Sequence, residues 1–143
     1  MSNLYSQFTY DNSLLLSNTG ANITATAEGG ILDIGDGLFD GFMIVDIDTL
    51  DMTTGDEGYV LSLEGSTVAA MTSTSVGLAT MYLGNTVIPM DADDAAIVTG
   101  AGKRLALPVR NERLGVLYRY VRIHYALTGT TPIIKMVAFL AKR

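Results

Sequence analysis

Hydrophobic residues recur at every second position through most of this chain. In LYRYVRIHYAL, from Leu117 to Leu127, the odd positions Leu117, Val121, Ile123, Tyr125 and Leu127 are apolar, and the even positions Tyr118, Tyr120, Arg122 and His124 carry polar groups. A period of two predicts a half-buried strand. Arg119 breaks the pattern by falling on the apolar face. In IIKMVAFL, from Ile133 to Leu140, the phase is reversed, with Ile134, Met136, Ala138 and Leu140 on one face and Lys135 on the other. Thr128-Gly129-Thr130-Thr131-Pro132 supplies turn residues between the two runs, so together they predict an antiparallel hairpin.

The same reading extends upstream. Asn22 to Glu28 alternates Ile23, Ala25 and Ala27 with Thr24, Thr26 and Glu28, which predicts a strand ended by Gly29-Gly30. Ile31 to Ile34 is a short apolar run, followed by a turn-rich stretch punctuated by Gly35, Gly37 and Gly41. Met43, Val45 and Ile47 then share one face, opposite Phe42, Ile44, Asp46 and Asp48. Tyr59, Leu61 and Leu63 alternate with Val60, Ser62 and Glu64. Val76 to Leu83 fits a strand in either phase, and Thr86 to Met90 fits an edge piece containing Pro89. Asp91 to Gly102 reads as loop, or at most one helical turn. Leu105, Leu107 and Val109 alternate inward, with Pro108 again marking an edge, and Arg110 to Gly115 is a polar connector. About eight strands result, with no amphipathic helix of useful length, which predicts an all-β antiparallel sandwich of jelly-roll type, an up-and-down barrel being the rival. Residues 1–20, with Tyr5, Phe8 and Tyr10 among polar neighbours, read as an extended arm ahead of a sandwich domain over 21–143.

Composition narrows this picture. A chain of 143 residues buries roughly 68–70% of its unfolded surface as one domain. With no cysteine, disulfides and thiolate metal sites are excluded. The first eighteen residues have no basic residue and too short an apolar run for a secretory signal, and no apolar stretch approaches the roughly 18 residues of a membrane helix. Charge is segregated. Residues 1–102 hold fourteen acidic and no basic side chains, whereas residues 103–143 hold all nine basic ones and only Glu112, for a net charge of -6. Because the basic section is itself strand-patterned, it is expected to pair with acidic strands inside one sheet system.

Candidate chemistry is sparse. Three groups of carboxylates invite a calcium reading: Asp33, Asp36 and Asp40; Asp46, Asp48 and Asp51; and Asp91, Asp93 and Asp94. None has the spacing of a calcium loop, so solvated turn aspartates are the expectation. His124 is the only histidine and lacks partners for a triad or a two-histidine metal centre. Gly65-Ser66 is no nucleophile elbow, and Gly100 to Arg104 lacks the glycine, the hydroxyl residue and the helix of a phosphate loop. No catalytic residue, cofactor or metal is therefore assigned, and no enzyme activity is expected. The arginines interleaved with Tyr118, Tyr120 and Tyr125 fit a protein interface better than nucleic acid, since the chain is acidic overall.

Three phrases, LYSQFTYDNSLLLSNTGANITATAEG, ILDIGDGLFDGFMIVDI and YRYVRIHYALTGTTPIIKMVAFLA, resemble the small cement, or decoration, proteins of tailed-bacteriophage capsids. The resemblance is clearest at both ends of the chain and weakest from about Gly65 to Gly102. It implies a jelly-roll sandwich that self-associates as a dimer or trimer and sits on the outer surface of the virion, bridging neighbouring major capsid subunits without nucleic acid or membrane. Contacts would then come from Tyr5, Phe8 and Tyr10 of the arm and from Tyr118, Arg119, Tyr120, Arg122 and His124, residues chosen for their chemistry because the family offers no motif fixing them. The alternative function is a carbohydrate- or receptor-binding jelly roll using Tyr118, Tyr120 and the Asp-rich loops.

Overall fold

A computed structural model of the protein describes residues 12–18, 20–72, 74–84 and 102–143. Tyr5, Phe8 and Tyr10 of the expected arm, the edge piece from Thr86 to Met90, and Asp91, Asp93 and Asp94 lie outside the described residues.

Among the described residues eleven strands follow one another: β1 (Leu15–Asn18), β2 (Ala27–Glu28), β3 (Leu32–Asp33), β4 (Asp40–Leu50), β5 (Gly58–Ser66), β6 (Val76–Gly84), β7 (Arg104–Arg110), β8 (Glu112–Arg113), β9 (Val116–Leu117), β10 (Tyr120–Thr128) and β11 (Ile134–Lys142). One sheet has the order β1-β11-β4-β7. The other has the order β2-β10-β5-β6, with β3 also on β10. Every pairing is antiparallel. Since β2 and β3 share one edge of β10 and β8-β9 is a separate small ladder, the sandwich has eight sheet positions. β1 lies beside β11, β2 and β3 beside β10, β4 beside β7, and β5 beside β6. A long hairpin wrapped around a core gives this nesting, which is the jelly-roll topology. An up-and-down barrel would instead pair neighbours in sequence throughout.

Alternation explains the core. Met43, Val45 and Ile47 of β4 and Ile134, Met136, Ala138 and Leu140 of β11 face inward from one sheet. Tyr59, Leu61 and Leu63 of β5 and Val121, Ile123 and Tyr125 of β10 face inward from the other. All are almost completely buried. The Tyr59 hydroxyl donates to the Asp51 carbonyl (2.6 Å) and accepts from the Ile133 amide (3.1 Å), which ties a β5 side chain to the ends of two strands in the opposite sheet. On the outer face of the first sheet, Ile44 and Phe139, directly opposite in register, are also buried and form a second small apolar cluster with Ala141.

Three sequence expectations are corrected. Residues 117–127 and 133–140 do not form a hairpin, because β10 and β11 lie in opposite sheets. Each run has one fully apolar face, and two such faces bury more surface packed across a core than side by side. Thr131 (φ 49°) and Gly129 (φ 99°) turn the chain over between them. Second, the strand begins only at Tyr120: Leu117 belongs to β9 and is exposed, and Arg119 sits in the break between strands, off the apolar face. Third, only Ala27 and Glu28 of the stretch 22–28 join a sheet, while Ile23 makes an isolated bridge to Ile134. The methyl groups of Ala25 and Ala27 stay exposed and anchor nothing. In addition, Leu15–Asn18, within the stretch read as an arm, is an edge strand whose Leu16 enters the core.

The wrapping also resolves the segregated charges. Nesting sets early strands beside late ones, so the acidic and basic sections meet residue by residue. Arg104 grips Asp46 (2.6 Å), Lys135 meets Asp48 (3.2 Å), Arg143 meets Asp40 (3.5 Å), and Arg122 bridges Glu28 (2.8 Å) and Glu64 (2.9 Å). Partly exposed pairs of this kind contribute about 0.2–1 kcal/mol each. Their larger effect is on pairing specificity, since a wrong neighbour would set like charges together.

Candidate interaction surface

Register places the chain connections at two ends of the sandwich. β4 and β6 begin, and β5, β7 and β11 end, at the same end. Three connections are gathered there: residues 34–39, 67–75 and 111–119.

A buried amide holds two of them together. Asn111 is only 1% exposed. Its Oδ1 accepts from the Phe39 amide (2.7 Å), and its Nδ2 donates to the carbonyls of Gly37 (3.0 Å) and Tyr118 (3.1 Å). Its backbone amide reaches Phe39 O, and its carbonyl accepts from Tyr118 N (2.7 Å). The sequence offered only a polar connector here. Asparagine meets the need because it alone, with glutamine, combines an acceptor and two donors in one neutral group.

Arg119 fastens the first connection from the other side. Its Nε and Nη2 donate to the two carboxylate oxygens of Asp33 (2.8 and 2.9 Å), its Nη1 donates to Asp36 (2.9 Å), and its guanidinium lies 5.5 Å from the centre of the Tyr120 ring. A bidentate fork of this kind fixes geometry as well as charge. Hydrogen bonding from Arg119 pushes the Asp33 carboxyl below its ordinary value, helped by the Gly35 amide. Asp33 and Asp36, first among the carboxylates with a calcium reading, are thus turned toward a guanidinium. Among the described residues, no group of three or more His, Asp or Glu is gathered as a metal ion would require.

On this scaffold the end of the sandwich exposes apolar side chains. Leu38, Val68, Leu114, Val116 and Leu117 all lie in its connections, and of the large exposed hydrophobics among the described residues only Ile31 and Tyr82 lie elsewhere. Leu114 is the extreme case. It occupies the tip of the β8-β9 ladder, where Leu114 (φ 53°) and Gly115 (φ 82°) both adopt the left-handed region. Two successive left-handed residues form a type I′ turn, a position suited to Asn-Gly. A leucine there costs about 1 kcal/mol or more in backbone strain, and its side chain is 93% exposed. The Glu112 carboxylate braces the turn by accepting from the Gly115 amide (2.6 Å). At the base of the ladder, a depression of about 380 Å³ is lined by Leu78, Pro108, Val109 and Arg110 with the Asp40–Arg143 pair.

The residues expected from sequence to make contacts separate accordingly. Tyr118, Arg119 and Tyr120 stand at the apolar end. Arg122 is not available as a contact: its side chain is 13% exposed and held between two glutamates. His124 lies on the outer face of the second sheet, opposite Glu28 and Ser62 in register. Sequence reasoning missed Leu38, Leu114 and Asn111. The available signal was the isolated leucine before Gly115 in an otherwise polar turn.

The opposite end has its own lock. Asp51 accepts from the hydroxyl (2.8 Å) and amide (3.0 Å) of Thr53. Asp56 accepts from the Thr130 amide (3.0 Å) and hydroxyl (2.7 Å). The buried Glu57 accepts from the Thr54 hydroxyl and from the amides of Thr54 (3.0 Å) and Gly55 (2.9 Å). These bonds hold all three carboxyls below their ordinary values: the Thr53 hydroxyl most for Asp51, the Thr130 amide most for Asp56, and the Thr54 hydroxyl most for Glu57. A depressed folded-state value stabilises the fold above the unfolded value of about 4 and ceases to do so as protons bind below it. The melting temperature is therefore expected to be flat above about pH 5 and to fall steadily below about pH 4. Asp56→Asn should shallow that acid slope in thermal melts; an unaltered slope would remove Asp56 from the account.

Comparison with models of known protein families finds no match for this chain, and comparison with curated proteins likewise finds none.

Proposed function

We propose that this protein is a non-catalytic virion component, a cement protein that binds the outer surface of a tailed-phage capsid and clamps neighbouring major capsid subunits. The phrase-level resemblance motivates the reading, and the jelly-roll sandwich agrees with it. The observation that carries it is the apolar end, with Leu114 held out on a strained, braced turn. Exposed apolar clusters mark surfaces that meet another protein. Burying one leucine side chain contributes about 1.5–3 kcal/mol, and repetition at many equivalent capsid positions multiplies a modest contact into a firm shell. Native subunits that bind the clamp gain stability by mass action.

The test is to mix the purified protein with undecorated shells. Saturable, stoichiometric binding and a raised disassembly temperature are expected. Leu114→Asp, at an almost fully exposed site, should leave the melting temperature of the free protein unchanged and weaken shell binding roughly tenfold or more. Absence of any binding by the unaltered protein overturns the proposal.

A further inference from the structure

Pairing within the sandwich engages nearly all of its charge. Among the described residues every Asp and Glu side chain has a hydrogen-bonding or ionic partner. The basic side chains are engaged in the same way except for Arg110 and Lys142, which are exposed and make neither a hydrogen bond nor an ion pair. Arg113 donates to a carbonyl, Gly77 O (2.9 Å), so no carboxylate offsets its charge. All three stand at the end that carries Leu38 and Leu114. Arg110 and Lys142 are the last residues of β7 and β11, and Arg113 belongs to the β8-β9 ladder.

Arg110 lines the depression of about 380 Å³ at the base of that ladder, beside the apolar side chains of Leu78 and Pro108. Two carboxylates share the lining. Asp40 is opposite Arg110 in register yet pairs with Arg143 (3.5 Å), and Glu112 is committed to the Gly115 amide (2.6 Å). Neither closes onto the Arg110 guanidinium. Gly41, next to Asp40, is the register partner of Lys142, so the two unpaired cations flank the first residues of β4 from either side.

We propose that this end docks a protein surface presenting an Asp or Glu side chain among apolar ones, with the carboxylate entering the depression on Arg110 and Lys142 supporting it from across β4. The inference rests on the cement reading above, and it states what the capsid subunit offers in return. A guanidinium grips a carboxylate through two parallel hydrogen bonds, and a contact walled by apolar side chains is stronger than one in open water. The leucines supply buried area, while the charge pair sets register and encounter rate. An anionic membrane surface is the rival occupant. Two unpaired cations fall short of the cluster of about 4–8 that holds a protein to anionic lipid. Asp40 and Glu112 would also repel a plane of phosphates, whereas a single carboxylate can approach Arg110 alone.

The experiment measures binding of the full chain to undecorated shells between about 50 and 500 mM sodium chloride. At the low end, Arg110→Glu should weaken binding about 30-fold, the neutral Arg110→Met about tenfold, and Arg110→Lys, which keeps the charge, only about threefold. Lys142→Glu should cost about fivefold. Salt should weaken the unaltered protein more steeply than Arg110→Met. Both sites are exposed, so the melting temperature of free Arg110→Met should stay that of the unaltered protein. If shells bind the unaltered protein and Leu114→Asp weakens that binding while Arg110→Glu and Arg110→Met do not, the carboxylate contact is overturned and the cement reading stands. If the unaltered protein binds no shell, the cement reading falls and this inference falls with it. Binding to phosphatidylserine vesicles that is lost in Arg110→Met would overturn the inference in favour of a membrane surface.

Discussion

Replacing Asn111 with alanine is expected to lower stability by about 3–5 kcal/mol and to loosen the end of the molecule that carries Leu38 and Leu114. The side chain makes three hydrogen bonds at a site almost closed to water. Each net bond is worth only about 1 kcal/mol, but an unpaired buried group costs about 1–3 kcal/mol. Alanine orphans the Phe39 amide and the carbonyls of Gly37 and Tyr118 together, so the second effect dominates. The backbone bonds of residue 111 to Phe39 and Tyr118 remain, which should keep the fold intact at neutral pH. Chemical denaturation reads the loss, and faster amide exchange confined to residues 34–39 and 111–119 locates it. A loss under about 1 kcal/mol would mean that water replaces the amide freely, and Asn111 would then not organise this end. Because Leu114 is held out by this scaffold, the same variant should weaken shell binding without altering any exposed side chain.

How much of this was legible in the sequence depends on which physical signal each part leaves. The buried faces of β4, β5, β10 and β11 were legible because alternation is dictated locally by the pleat: Met43, Val45 and Ile47 face inward as their spacing requires. Charge separation along the chain foretold cross-strand pairing, and Arg104–Asp46 and Arg122–Glu64 are such pairs. The partner of each strand was not legible in the same way. β10 and β11, five residues apart, satisfy the alternation equally as a hairpin or as strands facing each other across a core, and the choice rests on the total area buried. Arg122 looked like a contact residue because alternation places it outward. It is enclosed by Glu28 and Glu64, which come from distant stretches of chain. Asn111 left no periodic trace, since a single amide serving two loops has no repeat to reveal it.

Gly129→Ala is expected to lower stability by about 3 kcal/mol or more. Two costs combine. With φ at 99°, residue 129 occupies backbone space that side chains disfavour, worth about 1 kcal/mol for alanine. A Cβ there would also press on the Asp56 carbonyl oxygen and lie 2.7 Å from the Glu57 Cα, both backbone atoms of the corner that Asp56 and Glu57 brace. Backbone in a cross-linked corner cannot yield as a flexible side chain would, and moving it strains the bonds from Asp56 to Thr130 that join this corner to the β10-β11 turn. Gly35→Ala separates the two costs. Gly35 has a similar φ of 85°, but a Cβ there would meet nothing within 4 Å, so it should lose only the conformational part, about 1 kcal/mol. The difference between the two variants in denaturant unfolding measures the rigidity of the corner. Equal losses would show that residues 56–57 give way freely, and the carboxylate lock would then hold its own loop without tying the two sheets together.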